Sequence, residues 1–254
     1  MTETQPATSS APALEVAGLA KSFGSLLVAS DVHLRVESGE RRGLIGVNGA
    51  GKTTLFNMIA GELKPDRGSI GFFGDNITRD SVIQRTLKGL GRTYQVSTLV
   101  PSVTVRENLA LARGDGRLPS LWQPWQSRLD GDLMTTADQL GLTAVLDETV
   151  ANLSYGTLRQ LELAMVMAQK PRLLLLDEPA AGLSHAERQV LQDILHELPR
   201  EVTLLMIEHD MEMVLALSDC ISVLHQGEMF AEGSPDEIAA HQGVRDIYLG
   251  RAND

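Results

Sequence analysis

Apolar and polar positions alternate in the first part of this chain and give way to continuous apolar runs further along. Between residues 14 and 36 the alternation, clearest over 32–36, favours β-strands. Further strands are predicted at residues 42–46, 69–73, 173–176, 202–207 and 221–224. The runs 173–176 and 204–207 are apolar without alternation, which is typical of parallel strands covered on both faces. The core is therefore predicted to be α/β.

Helical periodicity replaces the strand pattern between about residues 95 and 169. Residues 104–107, Thr-Val-Arg-Glu, have the spacing of a capping box that begins a helix. Apolar residues then recur at helical spacing, at Leu129, Leu133, Ala137 and Leu140. Two later helix starts are predicted, one at a second capping box, residues 184–187, and one at residues 234–237, where Pro follows a capping Ser. The pattern indicates a helical insertion within the α/β core and a helical C-terminal region.

The composition is typical of a soluble globular protein. Hydrophobic residues make up 43% and charged residues 22% of the 254 positions, which excludes wholesale disorder. The longest apolar runs are too short to cross a bilayer, so no segment is expected to span a membrane. A single cysteine, Cys220, leaves no disulfide pair within the chain and fits a reducing cytoplasm. The formal net charge of −11 argues against nucleic-acid binding, apart from a local basic patch.

Residues 46–53 fit the phosphate-loop pattern G-x-x-x-x-G-K-[ST]. They lie between a short apolar run, 44–45, and an apolar helical stretch, 55–60, which is the strand-turn-helix setting that such a loop requires. Glycines let the backbone N–H groups point at a phosphate chain, while Lys52 reaches the outer phosphates and the Thr53 hydroxyl ligates Mg²⁺. A merely structural glycine-rich turn is the alternative. The Lys-Thr pair and the setting favour a phosphate site.

Two carboxylates follow the apolar strand 173–176, and ligands of parallel sheets bind beyond the carboxyl ends of strands. Asp177 is predicted to hold Mg²⁺, directly or through water, and Glu178 to polarise a water that attacks the γ-phosphate. The alternative is a surface Asp-Glu pair that begins a loop. The next strand, 203–207, leads to His209, which is predicted to hydrogen-bond the γ-phosphate and the attacking water. By itself, such a histidine is more often a structural donor.

These motifs occur in the order known from one family. In sequence they are the phosphate loop, Gln95 after Arg-Thr-Tyr, Leu153-Ser154-Tyr155-Gly156, Asp177-Glu178-Pro179, and His209. The chain resembles the ATP-binding subunit of an ABC transporter over nearly all of residues 14–251, and the ordered set is far more specific than any one motif. The resemblance implies a P-loop NTPase core with a mainly parallel sheet, an N-terminal antiparallel β region and an α-helical insertion.

The resemblance also implies roles around ATP and Mg²⁺. Phe23 stacks on adenine, and the phosphates are wrapped by Gly46, Asn48, Gly49, Ala50, Gly51, Lys52, Thr53 and Thr54. Thr53, Gln95 and Asp177 are the metal-site residues, and Gln95 also senses the transmembrane partner. Glu178, His209, Lys52 and Gln95 form the catalytic set. Taken alone, Phe23 could equally be a core aromatic. Taken alone, Gln95 would be read as a solvated loop amide.

The resemblance further implies that Ser154 and Gly156, at the start of a helix, bind the γ-phosphate of ATP held by a second subunit. A helix N-terminus with small residues suits an anion, yet one chain cannot bring this one to its own phosphate loop. A dimer of cassettes, identical or sibling, is therefore implied. Membrane permease subunits, and indirectly a solute-binding protein, are the other implied partners, with no nucleic acid. The implied location is the cytoplasmic face of the inner membrane.

Some positions depart from the commonest family pattern. Tyr155 and Thr157 stand where many relatives have Gly and Gln, and Met165 replaces a usual Arg. Ser184 stands where many cassettes carry Asp, and is predicted to serve as a helix cap. The Tyr155 variant and the tail 231–250 resemble the cassettes of branched-chain amino acid, amide and urea importers. The favoured function is therefore import of a branched-chain amino acid or similar small polar solute.

The implied organisation is one cassette with a helical subdomain inside it. Its parts are a flexible tail at 1–12, a nucleotide-binding core at 13–94 and 170–233, a helical subdomain at 95–169, and a C-terminal helical extension at 234–254. Trp122 and Trp125, in the subdomain, are interpreted as buried aromatic anchors, with a binding surface as the alternative.

Other functions stay open at this point. They are a lipid or lipopolysaccharide-export cassette, a DNA-maintenance or ribosome-associated ATPase, and a noncatalytic nucleotide-binding scaffold. Neither the long coiled coils of the DNA-maintenance class nor the paired cassettes of the ribosome-associated class occur in this sequence. Glu178 and His209 argue against a scaffold that has lost turnover.

Overall fold

Two β-sheets organise the described part of the chain, which in this computed structural model comprises residues 11–93, 99–112 and 131–249. The smaller sheet is antiparallel and has four strands in the order β2-β1-β4-β5. These strands are β1 (Leu14–Phe23), β2 (Leu26–Val36), β4 (Arg67–Phe72) and β5 (Asp75–Asn76). This sheet is the N-terminal antiparallel β region that the family resemblance implies.

The larger sheet has six strands in the order β10-β9-β3-β8-β7-β6. They are β3 (Arg41–Ile45), β6 (Leu90–Arg92), β7 (Leu173–Asp177), β8 (Thr203–Ile207), β9 (Cys220–His225) and β10 (Glu228–Gly233). Its neighbouring pairs are parallel except β9 and β10, which are antiparallel. Every residue of β3, β7 and β8 is buried, so the prediction of parallel strands covered on both faces is confirmed.

Helices cover both faces of the larger sheet. They are α1 (Lys52–Ala60), α2 (Val82–Leu87), α3 (Val105–Ala112), α4 (Gly131–Gln139), α5 (Tyr155–Met167), α6 (His185–Glu197), α7 (Met211–Leu217), α8 (Pro235–Ala240) and α9 (Gln242–Leu249). The three predicted helix starts hold, with Thr104, Ser184 and Ser234 each capping a helix and bonded in return by a glutamate three residues on. Within the described ranges, no helix is both long enough and apolar enough to cross a membrane.

The two apolar cores lie on opposite faces of the larger sheet. Leu173 and Leu175 of β7 pack with α1 and the smaller sheet, whereas Leu174 and Leu176 pack with α3, α5 and α6. The alternation arises because successive side chains of a strand point to opposite faces. The four leucines of this short strand therefore join the two cores.

Several expectations cannot be compared with the structure, because they fall outside the described residues. These are the tail over residues 1–10 and the side chains of Gln95, Trp122, Trp125 and Leu129.

The short elements α2, α7, β5 and β6 were not predicted. For α2 the reason is an inverted pattern: Ile83 and Leu87 are 72% and 68% exposed, while Arg85 is the buried residue of this helix. Apolar periodicity predicts which face of a helix is buried, and here it indicates the wrong one.

Arg85 ties α2 to the end of α1. Its guanidinium donates to the backbone carbonyls of Met58 and Ile59 at 2.7 and 2.5 Å, and to those of Thr78 and Asp80 at 3.2 and 3.1 Å. Burial lowers the pKa of Arg85. The last carbonyls of a helix lack intrahelical partners and carry the negative end of its dipole. A cationic donor there forms hydrogen bonds with these carbonyls and also neutralises the dipole.

We predict that Arg85→Met lowers the free energy of unfolding by about 3 kcal/mol, because buried carbonyls lose their donors. Urea denaturation of the purified protein measures the change. The matched control is Arg79→Met, at an exposed arginine close by in the sequence, which should stay within about 0.5 kcal/mol of the wild type. Equal destabilisation by the two substitutions would contradict the capping role.

Candidate functional site

The phosphate loop joins β3 to α1, and its glycines are set by close backbone contacts. A Cβ on Gly46 would lie 2.2 Å from the carbonyl oxygen of Leu224, and one on Gly51 would lie 2.6 Å from that of Val28. Gly51 also has φ +102°, in the region that favours glycine. Because Gly51 is the N-cap of α1, no side chain there accepts the first amides of the helix. The loop thus presents a helix N-terminus suited to an anion.

Lys52 is folded back over the loop. Its buried ammonium donates to the carbonyl oxygen of Gly46 at 2.5 Å and to that of Val47 at 3.2 Å. Burial lowers the pKa of Lys52, and the nearby carboxylates of Glu178 and Asp177 partly offset this effect. The lysine is therefore held by weak acceptors that a phosphate oxygen can replace.

Asp177 ends β7 as a buried carboxylate whose two oxygens have different surroundings. Arg92 Nη2 donates to Oδ2 at 3.1 Å, and Arg92 Nη1 also lies 3.1 Å from Glu62. Oδ1 is buried and has no hydrogen-bond partner among the described residues. Burial raises the pKa of Asp177, while Arg92 and Lys52 act in the opposite direction. A buried carboxylate oxygen without a donor is a fitting ligand for a hard cation such as Mg²⁺.

Glu178 and His209 meet at the edge of the sheet. Glu178 Oε1 lies 2.7 Å from His209 Nε2; Glu178 is partly buried and His209 is exposed. Glu178 has φ +50°, an uncommon conformation for glutamate, and its amide donates to Ile207 at 2.9 Å. The expectation that the two side chains share one sheet edge is confirmed as geometry. A water molecule can reach this pair from solvent.

Glu208 links the segments that follow β7 and β8. Its buried carboxylate accepts the amides of Ala180 at 2.7 Å and His209 at 3.0 Å. Burial raises the pKa of Glu208, and these hydrogen bonds partly lower it. Sequence reasoning passed over this residue because His209 has the more obvious chemistry. The one signal available was a carboxylate directly after an apolar strand.

Phe23 ends β1 with its ring half-exposed, at 50% relative accessibility. Lys21 Nζ lies 5.7 Å from the ring centroid. The alternative of a core aromatic is therefore wrong for Phe23, and its face is available for stacking. Gln95 lies outside the described residues, so its expected role stays a prediction.

Ser154 and Gly156 stand at the N-terminus of α5. The Ser154 hydroxyl accepts the Thr157 amide at 3.2 Å, and the Gly156 amide donates to Glu187 Oε1 at 3.1 Å. Tyr155 is 46% exposed. Among the described residues, no hydrogen bond or ion pair joins Ser154 or Gly156 to the phosphate loop of the same chain.

Tyr248 brings α9 to the first glycine of the phosphate loop. Its ring packs against the apolar core on the α5 face, and the Gly46 backbone amide lies close enough to the hydroxyl to influence its pKa. Burial raises the pKa of Tyr248 to about 12, although the amide contact lowers it. This contact is not predictable from local sequence patterns, because the two residues lie near opposite ends of the chain.

Comparison with known proteins gives consistent matches. A family model described as "ABC transporter" matches residues 29–181. The branched-chain amino acid transport ATP-binding protein BraF of Pseudomonas aeruginosa is 39% identical, with 96% of this chain and 100% of that protein covered. Its counterpart LivG of Escherichia coli is 38% identical at the same coverage. The lipopolysaccharide export ATP-binding protein LptB of Acidithiobacillus ferridurans is 34% identical, covering 93% and 96%.

A solved structure gives the same match in three dimensions. It is the crystal structure of an ATP-binding cassette of an ABC transporter in its ADP conformation. It superposes with a TM-score of 0.82 at 28% identity, and covers 93% of this chain and 98% of that one.

The burial of Tyr248 predicts a pH dependence of stability. A raised pKa in the folded state means that the stabilisation is fully present below the ordinary tyrosine pKa near 10 and is lost as pH rises towards 12. Between pH 9 and pH 11 the wild type should lose roughly 1 kcal/mol more unfolding free energy than Tyr248→Phe. Urea denaturation at both pH values measures this difference. Parallel losses in the two proteins would show that Tyr248 ionises freely.

Proposed function

Because the chain belongs to the ABC transporter family, whose cassettes are ATPases coupled to transport, we propose that it powers import of branched-chain amino acids or similar small polar solutes. It would do so by hydrolysing Mg²⁺-bound ATP between two cassettes. The observation that carries the hydrolytic part is the Glu178–His209 pair, 2.7 Å apart beside the phosphate loop. The proposed solute is the one for which the relatives BraF and LivG are named.

Nucleotide binding rests on the phosphate loop. Amides of residues 46–54 surround the phosphates, and Lys52 leaves the Gly46 and Val47 carbonyls to bind the outer ones. Phe23 offers its exposed ring to adenine. Each of these groups either is free or is held by contacts that a nucleotide can replace.

The Thr53 hydroxyl and Asp177 are the groups that would hold Mg²⁺. Asp177 Oδ1 supports this assignment, because it is buried with no hydrogen-bond partner among the described residues. The ion supplies charge neutralisation at the β- and γ-phosphates when bound. Gln95, which follows Arg92 and Thr93 closely in the sequence, is the further proposed metal-site residue and the sensor of the permease.

Hydrolysis requires an oriented water. Glu178 would accept a hydrogen bond from that water and increase its nucleophilicity. His209 Nε2, which lies 2.7 Å from Glu178 without nucleotide, would donate to the γ-phosphate once ATP is bound. The positive φ of Glu178 fixes the direction in which the carboxylate leaves the end of β7. Positioning and charge are the main demands of phosphoryl transfer, so this pair is sufficient.

A second cassette completes the site. Ser154 and Gly156 at the start of α5 would bind the γ-phosphate of ATP on the partner, because a helix N-terminus favours an anion. Permease subunits would anchor the pair at the cytoplasmic face of the membrane, and a solute-binding protein would act through them. We retain residues 95–169 as the proposed helical subdomain and 234–254 as the proposed C-terminal extension.

Two substitutions in the purified transporter separate binding from turnover. Glu178→Gln should still bind ATP and should hydrolyse it at least about 100-fold more slowly, because the water loses its acceptor. Lys52→Ala should weaken ATP binding itself. Radiolabelled ATP binding and steady-state phosphate release measure the two effects. Lys64→Ala, at an exposed lysine, is the control and should match the wild type. Equal turnover in the wild type and Glu178→Gln would remove Glu178 from its role.

The solute is tested on the intact complex, purified through an N-terminal tag on this chain. We expect permease subunits and a second cassette to copurify, and a binding protein loaded with leucine, isoleucine or valine to stimulate ATP hydrolysis severalfold. Binding proteins loaded with other solutes serve as controls. Stimulation by a lipopolysaccharide fraction alone would instead support the export function of the LptB relative.

A further inference from the structure

Glu187 bridges two helix N-termini with one carboxylate. Its Oε2 accepts the amide and the hydroxyl of Ser184 at 3.0 and 2.7 Å, which closes the capping box of α6. Its Oε1 accepts the Gly156 amide at 3.1 Å, at the start of α5. One oxygen of the Glu187 carboxylate therefore caps α6, while the other accepts a hydrogen bond from the first turn of α5.

The space around Gly156 fits this carboxylate closely. A Cβ on Gly156 would lie 2.7 Å from Glu187 Oε1 and 2.8 Å from its Cγ, so the glycine makes room for the glutamate side chain. Hydrogen bonds from Ser184 and then from Gly156 lower the pKa of Glu187, which keeps it ionised at neutral pH. The Gly156 amide thus already holds a negative charge without nucleotide.

We propose that Glu187 is a resident anion on the Gly156 amide, and that the γ-phosphate of ATP on the partner cassette must displace it for the two cassettes to close. The inference rests on the proposed function, because it takes the second cassette and its ATP from there. It adds a residue that sets how much ATP is needed for closure.

Glu187 must leave the Gly156 amide when a phosphate binds there, for two reasons: the amide has one hydrogen, and both ligands are negatively charged. The Gly156 amide has a single hydrogen, and a phosphate within bonding distance of it would lie beside the Glu187 carboxylate, where like charges repel. Glu187 can release Gly156 and still keep Ser184, because the two contacts use different oxygens. The capping box would therefore survive while the anion on α5 is exchanged.

A structural brace is the competing explanation. Tyr155 packs close to Gly182, where a Cβ would lie 3.1 Å from its ring, so α5 already contacts the segment before α6. If Glu187 only strengthens that contact, its loss should impair ATP use rather than ease it. The two explanations predict opposite changes in the ATP concentration that gives half-maximal hydrolysis.

Glu187→Gln in the purified transporter tests the proposal. Glutamine keeps an acceptor oxygen and removes the charge, and the chain already uses Gln84 in the capping box of α2, where it accepts the Ser81 amide at 2.8 Å. We expect the half-saturating ATP concentration to fall roughly two- to fivefold, with kcat within about twofold of the wild type. An unchanged or increased half-saturating concentration would overturn the proposal.

The matched control is Glu237→Gln. Glu237 closes the same kind of capping box with Ser234 at 2.8 Å, and it contacts no residue of α5 among the described hydrogen bonds and ion pairs. Its substitution should leave the half-saturating concentration unchanged. If a thermal unfolding measurement shows that Glu187→Gln is not folded, Glu187→Asp tests the proposal in its place. The shorter aspartate side chain withdraws its carboxylate from Gly156. A lowered half-saturating concentration then supports the proposal, and an unchanged one overturns it.

Failure of this inference and failure of the proposed function give different results. If Glu178→Gln leaves hydrolysis unchanged in the same complex, the proposed function is wrong and the inference falls with it. If Glu178→Gln stops hydrolysis while Glu187→Gln leaves the half-saturating ATP concentration unchanged, only the inference is wrong.

Discussion

The parallel register of β7 and β8 is the constraint on which the rest of the site depends. Asp177 pairs with Ile207 at the ends of the two strands, so the residues that follow each strand emerge side by side. Both strands are buried on both faces, and a slip of one residue would exchange the two cores that their alternate side chains join. The 2.7 Å contact between Glu178 and His209 is thus fixed by apolar packing behind it.

Charge in the site is balanced within a small, partly dry volume. Asp177 and Glu208 are buried carboxylates, and burial raises the pKa of both. Arg92 and Lys52 offset part of this cost at Asp177, and backbone amides offset part of it at Glu208. The site is accordingly built to gain from an added cation at the carboxylates and from an added anion at the loop, which is the charge pattern of a metal-bound polyphosphate.

Local patterns in the sequence were enough to predict the buried parallel strands, the helix caps and the phosphate loop, because each depends on residues close together in the chain. The pattern failed at α2, where a buried arginine binds carbonyls of another helix and the apolar side chains face outward. It also gave no sign of the contact between Glu187 and Gly156 or of the packing of Tyr248 against the core. Those contacts join distant segments, so their partners become visible only when the chain is folded.

Helix α9 lies close to the phosphate loop. The last described helix of the chain places Tyr248 close to the first phosphate-loop glycine, so α9 packs beside the candidate site. Removal or displacement of α9 will therefore disturb the phosphate loop even when every loop residue is intact. Reporter proteins and surface attachments must leave α9 in place.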